Sequence, residues 1–106
     1  MILDRHAALE RIEHDRELYN EICGIFLDDV PKIISHLKKA FNDGEIRTAT
    51  RHAHSLKYAA ANIGATDLSE TARLTENSFR AGDNKNIHTL ISDIDQNLSL
   101  VLEALK

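Results

Sequence analysis

Apolar side chains recur three and four residues apart along nearly the whole chain, and a single proline, Pro31, stands in 106 residues. That spacing puts them on one face of a 3.6-residue helix, and no stretch keeps the two-residue alternation of a half-buried strand. One stripe runs through Leu18, Ile22, Ile25, Val30, Ile33, Leu37 and Ala40. A second takes Ile46, Ala49, Ala53, Leu56, Ala60 and Ile63, and a third takes Ile87, Ile91, Ile94, Leu98, Val101 and Leu105. Gly44, Gly64 and Gly82 each follow a periodic segment, where a helix stop is expected. Asp4, Asp15 and Asp67 stand where N-caps fall, and Asp67 has Glu70 three residues on, as in a capping box. The pattern predicts a short helix over 5–12 and long helices over 16–43, 45–63, 67–81 and 85–105, with a kink at Pro31. Short connections make successive long helices antiparallel. The expected fold is therefore all-α: an up-down-up-down four-helix bundle with a short extra N-terminal helix, one domain over 1–106.

Composition narrows the function. Thirteen Lys and Arg against 17 Asp and Glu give a net charge of -4. That argues against nucleic acid, whose backbone demands clustered positive charge. No apolar run is long enough to cross a bilayer and no secretory leader opens the chain, so no membrane insertion is expected. Cys23 is the one cysteine, which leaves no disulfide framework or thiolate cluster and suits a reducing, cytoplasmic setting. No Asp or Glu has a His three residues later, so the Glu-x-x-His ligand pattern of di-metal bundles is missing. P-loop and nucleophile-elbow patterns are missing too, and a complete kinase is not expected.

The 45–63 segment is the informative one. At about 100° per residue its apolar stripe centres between Ala49 and Ala60, which puts His54 roughly 125° away on the solvent side. Lys57 lies one turn on, between His54 and the core edge. Thr50, Tyr58 and Ala61 are neighbours at one and two turns. His52 falls on the opposite flank, so His52 and His54 do not form one chelating pair.

His54-Ser55-Leu56-Lys57-Tyr58-Ala59-Ala60-Ala61-Asn62-Ile63-Gly64 resembles the motif of histidine-containing phosphotransfer (HPt) domains: His-x-Leu-Lys-Gly, a run of small residues, then an aliphatic and Gly. Residues 2–12, Phe26 to Pro31, Glu76, and Arg80 to Asp83 are similar to further parts of that family, so the resemblance covers essentially the whole chain. It implies a phosphorelay intermediate that accepts a phosphoryl group on His54 from one receiver-domain aspartate and passes it to another. Implied partners are response-regulator receiver domains and a hybrid sensor kinase. No cofactor or metal is implied for this chain, because the receiver supplies the Mg²⁺, and no kinase activity of its own.

An unprotonated imidazole nitrogen suits the task near neutral pH, since the ordinary histidine pKa is about 6.5. Lys57 would offer a point charge to the phosphoryl oxygens. Arg80 would do the same across the bundle face, or would offset the dipole at its helix C-terminus. Ala61, with Ala59 and Ala60, would allow close approach of a partner. The departure is Tyr58, which stands where the family has glycine and takes up space that a receiver domain would use. Two alternatives stay open beside the working carrier. One is a module of the same fold that docks a receiver or kinase but transfers poorly because of Tyr58. The other is an unrelated helical bundle.

Overall fold

The computed structural model describes residues 1–106 and contains five helices and no strand. They are α1 (Arg5–Arg11), α2 (Arg16–Asn42), α3 (Ile46–Ile63), α4 (Thr66–Ala81) and α5 (Ile87–Ala104). At about 1.5 Å rise per residue the 27 residues of α2 span roughly 40 Å. That helix sets the long dimension of a 41 × 22 × 22 Å particle. It is continuous through the exposed Pro31, so the expected kink does not break it. The carbonyl of Leu27, which the proline leaves without its helical donor, belongs to an exposed residue open to water.

The chain signals act mostly as read. Asp4 Oδ1 accepts from the Ala7 amide at 3.1 Å and Asp15 Oδ1 from the Leu18 amide at 3.0 Å, which caps α1 and α2. Gly64 and Gly82 end α3 and α4 in the left-handed conformation. Asp67 is a correction. The helix begins one residue earlier, at Thr66 with Ala65 as the cap residue, and no side chain caps it. Asp67 instead binds the α-amino group of Met1 at 2.7 Å, while its amide donates to the Met1 carbonyl at 3.0 Å. Its supposed capping partner Glu70 pairs with Arg73.

α2 packs on α3, α3 on α4, and α4 on α5, while α1 lies against α2 and α3. Lys38 of α2 grips both carboxylate oxygens of Asp95 on α5, at 2.8 and 2.7 Å, and closes the ring. The core joins Phe26, Val30 and Ile34 of α2 to Leu56, Ala60 and Ile63 of α3, Leu68 and Ala72 of α4, and Ile94 and Val101 of α5. The stripes on α3 and α5 fall where the periodicity put them. On α2 the buried line is Tyr19, Cys23, Phe26, Val30, Ile34, Leu37 and Ala40, so the expected register is wrong in its first half. Leu18 and Ile25 face solvent, 38% and 61% exposed. Tyr19 and Phe26 are the bulkier residues of that half and occupy the core line in their place. The Tyr19 hydroxyl donates to the Ile63 carbonyl at 2.8 Å, which fixes that rotation.

Candidate functional site: His54 and a buried carboxylate

α3 buries Ala49, Ala53, Leu56, Ala60 and Ile63 between its neighbours. Three alanines on that line let the flanking helices come close, and the same rotation turns His54 outward with its side chain 48% exposed. The buried line of α4 is Leu68, Ala72, Thr75, Glu76 and Phe79. Glu76 thus takes a core-facing position with a carboxylate and is only 4% exposed. The Ser69 hydroxyl donates to the Lys57 carbonyl at 2.9 Å and pins the register that sets Glu76 opposite His54.

Three donors meet on that carboxylate. His54 Nδ1 lies 2.8 Å from Glu76 Oε2, Lys57 Nζ donates to Oε1 at 2.9 Å, and Arg80 Nη2 donates to Oε2 at 2.9 Å. Burial opposes ionisation of Glu76. Hydrogen bonds from Lys57, Arg80 and His54, with the Lys57 charge, outweigh it and bring its pKa to about 2. Ionised Glu76 can only accept hydrogen bonds. Nδ1 of His54 therefore carries a proton, and in the neutral ring the lone pair sits on Nε2, at the ring edge away from the carboxylate. With neutral His54, one anion and two cations leave the cluster at net +1.

The expected residues do not all converge. Lys57 reaches the site, its side chain 23% exposed. Arg80 does so through Glu76, so its pairing is with a carboxylate and not only with the helix dipole. Tyr58 is 56% exposed, and its ring packs edge-on against the His54 imidazole with centroids 4.9 Å apart. Lys57 Nζ lies 5.0 Å from the centre of the same ring. Ala61 sits elsewhere: it lines a cleft with Asp4, Ala7 and Arg11, and its carbonyl accepts from Arg11 Nη2 at 2.6 Å. His52 is on the other flank, its ring 5.5 Å from that of His36. Burial, then the charges of His36 and Arg51, push the His52 pKa below the usual imidazole value. No three His, Cys, Asp or Glu side chains gather in a metal-holding cluster.

Glu76 is the residue that sequence reasoning passed over as a site member. Its signal was present: a carboxylate on the apolar line of a helix must be paired, and Arg80 stands four residues on.

The family model for the Hpt domain matches residues 21–105. Among solved structures the chain is similar to histidine-containing phosphotransfer protein B (HptB) from Pseudomonas aeruginosa PAO1. Identity is 24%, coverage is 94% of this chain and 87% of that one, and the TM-score is 0.85, which is a likeness of fold. Curated proteins give no significant match.

Proposed function

The chain belongs to the Hpt domain family, and from that premise we propose that His54 is the residue that carries the phosphoryl group between receiver-domain aspartates. The observation that supports it is the bond between His54 Nδ1 and the ionised, buried Glu76. It leaves the Nε2 lone pair free to attack the phosphorus of an aspartyl phosphate. The P–N bond forms as the P–O bond to the aspartyl oxygen breaks, and the carboxylate leaves with that electron pair. The ring keeps its Nδ1 proton and becomes a cation, with Glu76 as its counter-ion. Onward transfer to a second receiver aspartate is the reverse of these steps. Lys57 and Arg80, already at the site, supply positive charge for the phosphoryl oxygens. The divalent cation of such a transfer belongs to the receiver, and the reading implies a hybrid sensor kinase upstream in the cytoplasm. No helix here is long and apolar enough to cross a membrane.

The second reading, a docking module that transfers poorly, is favoured by one observation. The Tyr58 ring lies against the imidazole where a partner must approach. The deciding experiment incubates the wild type and His54→Gln with a receiver domain carrying radiolabelled phosphate. Label is expected on the wild type in an acid-labile, alkali-stable form and none on the variant. The variant should stay folded and lose no more than the worth of one hydrogen bond to a charged partner, about 1.5–3 kcal/mol. Label on the variant would move the site away from His54. An unlabelled wild type that still binds the receiver would establish the docking reading.

A further inference from the structure

α3 contains no carboxylate. Its 18 residues hold Arg47, Arg51 and Lys57, while the chain as a whole has 17 Asp and Glu and a net charge of -4. α5 is its opposite: Asp93, Asp95 and Glu103 stand there with no Lys or Arg. The two helices occupy diagonal corners, since each packs on α4 and α2 lies beside both. α3 is thus a cationic helix and α5 an anionic one at the opposite corner, where Lys38 of α2 already offsets Asp95.

The placement on α3 is specific. Arg51 and Arg47 precede His54 by three and seven residues, so at about 100° per residue they project within about 60° and 20° of it. Both are exposed. Arg47 makes no side-chain hydrogen bond or ion pair, and Arg51 only a long contact of 3.5 Å to Thr48 Oγ1. Neither makes a polar side-chain contact to another helix. The one carboxylate that α4 brings beside His54, Glu76, is buried and already paired three times. Asp29 of α2 flanks the other end of the face, in a groove with Ala59 and Asn62. The cationic strip thus runs from His54 toward the N-terminus of α3 and stops there.

Resting on the carrier reading above, we infer that Arg47 and Arg51 form a docking strip for the acidic rim around a partner's phosphorylated aspartate, steering that partner so that the phosphoryl group meets His54. The chemistry fits one kind of partner. A protein that delivers a phosphoryl group from a carboxylate presents the phosphoryl dianion together with the carboxylates that hold its divalent cation. The strip extends about 10 Å beyond His54, slightly more than a Debye length of about 8 Å at physiological salt, so it adds attraction that Lys57 and Arg80 alone do not. Complementary charge of this kind acts on encounter rate and orientation more than on the chemical step.

The test is transfer kinetics of wild type, Arg47→Glu/Arg51→Glu and Arg47→Gln/Arg51→Gln with one phosphorylated receiver domain that labels the wild type. Glutamate in the first turns of α3 suits the helix dipole, so the fold is kept, and circular dichroism verifies it. At low ionic strength kcat/KM should fall about tenfold or more in the Glu pair and by less in the Gln pair, with the rate at saturating receiver unchanged. The gap should close toward 0.5 M salt, a concentration at which screening extends over only about 4 Å. A Glu pair within twofold of wild type at low salt, a defect that persists in high salt, or a loss in the saturated rate would overturn the steering role while leaving His54 as carrier. A wild type that no receiver labels would overturn the carrier reading and this inference with it.

Discussion

Tyr58 packs edge-on against His54 at 4.9 Å and shares Lys57 with Glu76, so the aromatic ring and the carboxylate hold the imidazole from two sides. A helical side chain leans toward its own N-terminus, which brings residue 58 over residue 54. Replacing the tyrosine by the glycine of the family motif opens that volume to a receiver domain but puts glycine in a helix interior, at a cost of roughly 0.5–1 kcal/mol. Tyr58→Gly should therefore unfold at slightly lower temperature and accept phosphate faster. The comparison is the second-order rate for both proteins against one receiver, scaled to folded protein, and a slower variant would make the hydroxyl or ring a helper instead. The outward turn of His54 and the flank of His52 were legible from periodicity alone, because helical geometry fixes them. The need of Glu76 for a partner was legible, but its contact with His54 was not, because that depends on which residue of α4 faces residue 54 across a helix boundary, and sequence spacing within one helix carries no such register. Arg80 was legible in both respects, its position at a helix end and the i,i+4 spacing that pairs it with Glu76 on one helix.

At the scale of the helices, caps and stops carried most of the fold. Asp4, Asp15, Gly64 and Gly82 mark their boundaries through local chemistry that needs no tertiary knowledge. Two readings failed where tertiary contacts decided. The rotation of α2 is set by Tyr19 reaching the Ile63 carbonyl, and Asp67 is drawn away from capping by the amino group of Met1. Gly64 illustrates how a stop can carry more than a turn. It adopts φ +84, its carbonyl accepts from the Asp4 amide at 2.7 Å, and a Cβ there would overlap the Asp4 main chain. Gly82 has φ +71 but open space around it. Alanine at either position meets the left-handed penalty of roughly 1–2 kcal/mol. Only at 64 must the segment leading into α1 also move. Gly64→Ala should lower the melting temperature by about 10 °C or more and Gly82→Ala by about half that. Equal losses at the two positions would show that the Asp4 contact adds nothing.

For the whole molecule Glu76 links acid stability to the site. Its folded-state pKa of about 2 lies below the ordinary 4.5, so the ionised carboxylate stabilises the bundle fully above pH 4.5. That contribution is lost as the pH falls from 4.5 through 2. Chemical denaturation across this window should show wild type losing up to about 3 kcal/mol more than Glu76→Gln. Parallel loss in the two proteins would mean that the carboxylate is not held ionised. The same carboxylate bears on thermodynamic poise. If His54 carries the phosphoryl group as proposed, the phosphorylated ring is a cation, and an anion 2.8 Å from Nδ1 stabilises it relative to the free ring. Glu76 then lowers the group-transfer potential of the phosphohistidine and shifts the partition of phosphate between receiver and carrier toward the carrier. Without that anion, as in the glutamine variant, phosphate at equilibrium would lie further toward the receiver, read directly as the ratio of labelled carrier to labelled receiver. On that proposal, how full the carrier stands between one partner and the next depends on a side chain that never touches the phosphate.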